Sequence, residues 1–215
     1  MPESDRHQQP ALTVRAFAEL MRLPAYEQLR ILAEQKHPSQ QPQVFRTPFY
    51  LPALAGIRSY YRSGNDPRAL EAARIKASEA RLRARRDSNL RVIAQFARGE
   101  QARRVLLPVP GPRASHHLGG VELRLQFDIS AREDDTSRHI FYNCRAVPID
   151  GEVARTTLEL AHWVLEETGV DAPLNSLEYV DLTGGRVYRT RSRRPRSIQI
   201  ARRNAAVIET LWPSV

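Results

Sequence analysis

The most regular pattern of apolar and polar positions lies in the stretch VELRLQFDI, where every second residue from Val121 to Ile129 is apolar. A period of two predicts a β-strand with one buried face. The mostly apolar stretch RHIFYNCRAV predicts a second strand, from Arg138 to Val147, and its aromatic and β-branched residues favour a central position in a sheet. We therefore expect the two strands to be neighbours in one sheet.

Apolar residues at helical spacing predict most of the other elements. The longest run of them follows Asp66 and Pro67, a capping pair, and continues to Arg98 with few breakers, which predicts one long helix packed on the sheet. Two glycines in LEYVDLTGGRVYRT predict a hairpin between short strands. The other expected elements are a short edge strand in RRVLLPVPGP and helices from Leu12 until Pro24, Tyr26 to Lys36, Ala53 to Tyr61, Gly151 to Thr168 and Ile198 to Trp212.

These elements divide the chain into a helical N-terminal extension, residues 1–66, and an α/β domain, residues 67–215. Residues 1–10 are polar and predict no regular structure, and the later part of the extension is rich in proline and aromatic residues. We expect the aromatic rings to wrap a helix against a core, with stacking on bases as the alternative. The rings belong to Phe45, Phe49, Tyr50, Tyr60 and Tyr61.

Charge and cysteine content narrow the function classes. The 215 residues carry a formal net charge of +9, which attracts polyanions such as nucleic acid or an acidic protein surface. Lys36 and Lys76 are the only lysines among 33 basic residues, however, and a GC-rich genome would produce the same bias towards arginine. A single cysteine, Cys144, excludes an internal disulfide and a cysteine-based zinc site. Since no apolar run fits a secretory signal or a membrane span, we expect a cytoplasmic protein without membrane contact.

The order of helix, strand meander, helix and returning strand resembles the αβββαβ core of the restriction-endonuclease-like, PD-(D/E)XK superfamily. Its RecB-like branch is the most similar, because LEYVDLTGGRVYRTRS followed by the helix IARRNAAVIETLW looks like the closing hairpin and helix of that branch. The resemblance covers roughly residues 67–212. It implies an α/β fold with a mixed central sheet flanked by helices. Finding the two expected strands in different sheets would refute the strand assignment and the resemblance with it.

The resemblance also implies a metal site. Members of the superfamily hold Mg²⁺ with two carboxylates on neighbouring strands, and a nearby lysine helps to activate the attacking water. By position, Asp128 matches the first acid, whereas Asn143 and Arg145 occupy the places of the second acid and the lysine. An amide is a weak ligand for Mg²⁺ and arginine does not act as a base, so we expect a degenerate site in which Asp128 is the metal ligand, if there is any.

Two further observations would decide between a lost and a working site. An ion pair between Arg145 and Asp128 would close it, whereas additional carboxylates beside Asp128 would favour an active nuclease that uses Mg²⁺. The candidates for such migrated ligands are Glu79, Glu122, Asp150 and Glu152.

We therefore expect a nucleic-acid-binding or assembly subunit on a nuclease-like fold, without a cofactor and with a protein partner in a larger complex. One alternative is an active Mg²⁺-dependent DNA nuclease with migrated ligands; another is a protein-docking module that uses the aromatic N-terminal segment. The arginines expected to contact phosphates lie on the long helix and in the loop before the last helix, although a solvated surface explains the same charges. They are Arg81, Arg85, Arg86, Arg191, Arg193, Arg194 and Arg196.

Overall fold

A computed structural model of the chain describes residues 9–37 and 49–215. The polar stretch up to residue 8 and Phe45 lie outside the described residues, so the predictions made for them stay predictions. The α/β class is confirmed. None of the helices in the described part combines the length and the apolar character that crossing a bilayer requires.

Seven helices and eight strands make up the described part of the chain. The helices are α1 Val14–Leu20, α2 Ala25–Lys36, α3 Leu51–Arg62, α4 Pro67–Ser78, α5 Arg83–Arg98, α6 Gly151–Glu167 and α7 Ser197–Leu211. The strands are β1 Ala11–Thr13, β2 Leu107–Pro108, β3 Arg113–Leu118, β4 Val121–Gln126, β5 Ile129–Glu133, β6 Thr136–Asn143, β7 Leu177–Asp181 and β8 Arg186–Tyr188. The helix predicted from Gly151, the glycine hairpin, the last helix and the edge strand are confirmed.

The strands form two sheets. The larger has the order β2-β5-β6-β7-β8, in which β6 and β7 are parallel and the other pairs antiparallel. Helix α6 is the crossover that a parallel pair requires. The smaller sheet has the order β1-β4-β3, with β1 parallel to β4. Neither β1 nor β3 has a counterpart among the predicted strands.

The prediction of one strand over Val121–Ile129 beside the second strand is wrong. The chain changes sheets at Phe127 and Asp128: β4 belongs to the smaller sheet, while β5 pairs with β6 in the larger one. The change is visible in the packing, because Phe127 and Ile129, which a continuous strand would point the same way, lie in different hydrophobic cores. Most of the first predicted strand therefore lies in a different sheet from the second, which is the condition set above against the resemblance; only its last residue, Ile129, belongs to the strand that pairs with β6.

The single helix predicted from Asp66 to Arg98 is also wrong. The chain turns between Ser78 and Arg83, and α4 and α5 are separate helices. An unbroken helix over this span would be about 50 Å long, well beyond the ~30 Å diameter of a small domain. The turn lets both apolar stripes be buried, that of α4 with Ala73 packed closely against Gly56 of α3, and that of α5 around Phe96.

The larger sheet separates two hydrophobic cores. Helices α3, α4 and α5 bury their apolar faces against Ile140, Tyr142 and Val180 on one face. Helices α1, α6 and α7 pack with the smaller sheet against Phe141 and Tyr179 on the other face. Thus α1, although it comes from the N-terminal segment, contributes directly to the core that lies beside Asp128.

Candidate functional site

Asp128 lies at the point where the chain passes from β4 to β5, and its polar groups are fully engaged. Its carboxylate accepts hydrogen bonds from Arg15 Nη1 (3.0 Å) and from the backbone N–H of Tyr142 (2.8 Å). Its backbone carbonyl accepts a 2.7 Å hydrogen bond from Arg58 Nε. The first acid of the expected metal site is therefore present, but each of its carboxylate and carbonyl groups already holds a protein donor.

Arg15 occupies the place beside Asp128 where a metal ion would have to bind. Thr13 caps α1 by accepting from the backbone N–H of Ala16 (3.1 Å), which fixes the first turn of the helix that carries Arg15. The Arg15 guanidinium lies 5.3 Å from the centre of the Phe141 ring and also donates to the carbonyl of Tyr142 (3.0 Å). Burial alone would lower the pKa of Arg15, but the charge and the hydrogen bond of Asp128 outweigh this, and the pKa is raised.

Asn143, at the second-acid position, organises a buried turn. Its Nδ2 donates to the carbonyl of Val147 (2.9 Å) and to Asp181 Oδ1 (3.0 Å), while its Oδ1 accepts from the backbone N–H of Arg145 (3.1 Å). Asp181 is 1% exposed and also accepts from the N–H groups of Ile149 and Thr183. An acid at position 143 could not donate these bonds and would face a second carboxylate, so the amide is required by its surroundings.

The strand predicted over Arg138–Val147 consequently ends at Asn143. The residues that follow it are bound by side chains of other elements. Arg91 of α5 donates to the carbonyls of Cys144 and Arg145, both at 3.0 Å. The Arg145 side chain then points to Glu19 of α1, at 2.7 Å, and not to Asp128. The ion pair between Arg145 and Asp128 that would have closed the site is therefore not formed; Asp128 is paired with Arg15 instead.

The Asp128 cavity is a pocket of about 280 Å³ that opens between α1, α3 and the turn after β6. Two ion pairs, Arg15 with Asp128 and Glu19 with Arg145, define its charge. Burial raises the pKa of Tyr179 and that of Cys144 to about 12, so both groups are neutral at pH 7. The charged groups that the described residues contribute balance, two arginines against two acids, and give no excess negative charge that would attract a cation. Its lining also includes Phe49, Tyr50, Leu51, Leu54, Tyr142 and Asn143.

These groups do not fit a magnesium ion. Mg²⁺ prefers carboxylate and water oxygens in octahedral geometry, whereas the donors here are two carboxylates, Asp128 and Glu19, that are each paired with an arginine, and an amide oxygen that already accepts a backbone N–H. Within residues 9–37 and 49–215, no group of three or more His, Cys, Asp or Glu side chains is placed to hold a metal ion. No catalytic step through a metal can be derived from this arrangement.

The four acids considered as migrated ligands lie elsewhere. Glu122 pairs with Arg124 at 2.7 Å, and Glu79 is exposed at the end of α4. Asp150 caps α6 by accepting from the N–H of Glu152, which itself pairs with Arg194. None of the four lines the Asp128 cavity.

The loop arginines before α7 divide into two kinds. Arg193 pairs with Glu166, and Arg194 is bound to Glu152 and to the fully buried Glu159, so these two hold the loop on α6. Arg191 and Arg196 are exposed, and the structure gives neither side chain a hydrogen bond or ion pair within the described residues. Only the second kind can bind a ligand without first breaking an internal ion pair.

The arginines at the start of α5 divide in a similar way. Arg81 is exposed in the turn between α4 and α5, whereas Arg85 and Arg86 are half-buried. Arg86 Nε lies 3.5 Å from Asp87 Oδ1, a weak surface contact. The aromatic prediction is partly confirmed: Tyr60 and Tyr61 pack edge-on against Phe96 in the core.

Arg15 and Glu19 are functional residues that the sequence reasoning missed. The signal was present, since the two lie four residues apart and therefore on one edge of α1, beside its buried face of Val14 and Phe17. What the sequence does not show is that this edge meets Asp128, because 113 residues separate Arg15 from it.

No protein-family model, curated protein or solved structure that was compared with the chain matches it. Its chemistry has to follow from the groups themselves: a paired acid, an amide that holds a turn, and a surface with an excess of arginine.

Proposed function

We propose that the protein is a nucleic-acid-binding or assembly subunit that carries out no metal-dependent cleavage at Asp128. The absence of metal-dependent cleavage is proposed from the contact between Arg15 and Asp128. This contact puts a positive charge on the carboxylate that corresponds to a metal ligand in the superfamily. The acid keeps a structural task, because it anchors α1 and the backbone of β6 through its carboxylate.

Part of the resemblance to the PD-(D/E)XK superfamily is supported by the topology. The order β5-β6-α6-β7, with an antiparallel pair followed by a helix and a parallel returning strand, agrees with the end of the expected αβββαβ core. The hairpin to β8 and helix α7 also follow as expected. The separation of β4 into another sheet does not agree with it, so the proposal rests on the site more than on the fold.

Nucleic-acid binding is supported by charge that is not used internally. The formal net charge is +9, and Arg81, Arg191 and Arg196 project into solvent. Phosphate contacts of this kind release counterions, so log affinity falls linearly with log salt, by roughly 0.9 per phosphate on duplex DNA. That slope distinguishes bound phosphates from a merely solvated surface.

The binding half is tested by fluorescence anisotropy with a labelled DNA duplex over a range of salt. Arg191→Gln with Arg196→Gln should reduce the slope by on the order of one unit for each phosphate that the variant no longer binds. The matched pair, Arg193→Gln with Arg194→Gln, removes the same charge from the same loop but should mainly lower the free energy of unfolding. Equal slopes in both variants and the unchanged protein would show that the loop binds no phosphate.

The catalytic half is tested with linear, circular and single-stranded DNA in Mg²⁺ or Mn²⁺. Cleavage by the unchanged protein should not exceed cleavage by Asp128→Ala. Turnover that Asp128→Ala abolishes would favour the active nuclease.

One observation favours that alternative. Glu19 lines the same cavity as Asp128, so an active form would exist if Arg15 and Arg145 both moved away from these two acids. Glu19→Gln should then abolish cleavage as Asp128→Ala does, and any retained activity would exclude this pair as the metal ligands.

A further inference from the structure

A second cavity lies on the other side of Asp128, where the two sheets meet. It has a volume of about 180 Å³ and is bounded by α3, by the loop between β2 and β3, and by the passage from β4 to β5. Among residues 9–37 and 49–215, three arginines line it, Arg58, Arg62 and Arg113, and Asp128 is the one acid in the lining. Because the Asp128 carboxylate is already paired with Arg15, the three guanidinium groups have no acid of their own in this cavity.

Arg58 is held in place before any ligand arrives. Its Nε donates to the backbone carbonyl of Asp128 at 2.7 Å, which fixes the plane of the guanidinium. Among the described residues, its terminal nitrogens have no hydrogen-bond partner, and the exposed side chains of Arg62 and Arg113 have neither a hydrogen bond nor an ion pair. Arg58 and Arg62 are one turn apart on α3 and so project from the same side of the helix.

The opposite wall is rigid. Strand β2 ends at Pro108, the loop after it contains Pro112, and the Val109 N–H of this loop donates to the carbonyl of Ser130 at 2.9 Å. Gly111 lies so close to β5 that a Cβ there would be 2.1 Å from Ser130 Oγ. The Ser130 hydroxyl is itself hydrogen-bonded to His139 Nδ1 at 2.9 Å, so it serves as wall and not as a free reactive group.

We propose that this cavity, the arginine pocket, binds a phosphate group. Guanidinium groups bind phosphate through paired, charge-assisted hydrogen bonds, and a bound anion removes the repulsion among three cations. The volume lies below the roughly 300–1,000 Å³ of pockets that enclose whole small molecules, so it suits one anionic group rather than a base or a sugar. As a contact to a nucleic-acid phosphate, the pocket deepens the proposed function and rests on it.

The test measures phosphate binding directly, by calorimetry with inorganic phosphate at constant ionic strength. The variant Arg62→Gln with Arg113→Gln removes two exposed charges, and Arg202→Gln with Arg203→Gln on α7 is the charge-matched control. We expect saturable binding by the unchanged protein, at least about tenfold weaker binding by the pocket variant, and a change below about twofold in the control. Unfolding midpoints without phosphate should show that both variants are folded.

Equal affinities in the two variants, or the absence of saturable phosphate binding by the unchanged protein, would overturn the pocket. Oligonucleotides with and without a 5′-phosphate then identify the source of the group. If the pocket variant binds both more weakly, the ligand is a backbone phosphate; if it binds only the phosphorylated one more weakly, the ligand is a strand end. The unchanged protein could also bind phosphate, lose this binding in the pocket variant and yet bind no DNA. That result would support the arginine pocket and refute nucleic-acid binding.

Discussion

Replacing Asn143 by aspartate supplies the second acid that the resemblance implies and should nevertheless destabilise the protein strongly. The new carboxylate would lie about 3 Å from Asp181, which is 1% exposed. At an effective dielectric constant of 20, two charges at that distance repel each other by about 5 kcal/mol. Taking up one proton at pH 7 costs less, about 4 kcal/mol for an aspartate with an ordinary pKa near 4, so the pair will share a proton.

The shared proton replaces the bond between Asn143 and Asp181, but the bond from Asn143 to Val147 is removed, which costs about 1 kcal/mol more. The expected decrease in the free energy of unfolding is therefore about 5 kcal/mol at pH 7. It should fall to about 2 to 3 kcal/mol at pH 5, because the pKa of the pair is raised in the folded state and protonation then costs less. The variant thus becomes relatively more stable as the pH decreases.

Urea unfolding, followed by the fluorescence of the buried Trp163 and Trp212, measures these values at both pH values. Asn175→Asp makes the same chemical change at an exposed position and should have an effect below about 0.5 kcal/mol. If Asn143→Asp were as mild as this control, the turn would tolerate a second acid, and the reasoning about Asn143 would be refuted. Stabilisation of the variant by Mg²⁺ would refute the interpretation of a closed site as well.

Three other predictions follow from the charged and titratable groups. Arg15→Gln should lower the free energy of unfolding in urea by about 2 to 3 kcal/mol, because the side chains of Arg15 and Asp128 are only 30% and 10% exposed. The control Arg30→Gln removes an ion pair with Glu34 whose side chains are 61% and 63% exposed, and it should lower that free energy by about 0.5 kcal/mol or less. Equal decreases would contradict the role of Arg15. The hydrogen bond from Arg104 lowers the pKa of Glu133 below the ordinary 4.5. The stability that this contact contributes is therefore present above pH 4.5 and is lost as the pH falls through the lower pKa of the folded state. Glu133→Gln should flatten the acid part of an unfolding titration followed by circular dichroism, and an unchanged curve would contradict this. Burial raises the pKa of Cys144 to about 12, so a thiol reagent at pH 8 should label the folded protein on the order of 1,000-fold more slowly than the protein in urea. Rapid labelling of the folded protein would contradict the burial of Cys144.

The elements that the sequence predicted well are those whose patterns are local. Helix α6 has an apolar face along its whole length and a cap at Asp150, and the hairpin after β7 has Gly185 at a φ of 64°. The two wrong elements depend on contacts that no local pattern contains. The alternation from Val121 to Ile129 continues without a fault through the change of sheet, and the alanine-rich stripe after Ala73 does not show where α4 ends.

For the site, the sequence predicted the special residues but not their partners. Asp128, Asn143 and Arg145 do lie along one edge of the same cavity. Their roles are set by Arg15 and Glu19, which line the cavity from α1, and by Asp181 of β7, which bonds Asn143 inside the buried turn. All three partners are distant in sequence from the residues that they hold. Position in a motif therefore indicated where to look, while the donors and acceptors around each residue determine what it can do.

Asp128 lines both cavities, and its contacts make the charge around it the opposite of what a metal site would have. A metal site gathers free carboxylates, so that the surroundings attract a cation. Here the carboxylate holds Arg15 on one side, and the carbonyl of the same residue holds Arg58 on the other. The first contact uses up the negative charge, and the second presents a guanidinium to the arginine pocket. Arg62 and Arg113 add further positive charge to the same pocket. The surface beside Asp128 should therefore attract an anion, and we expect it to bind phosphate and not a metal ion.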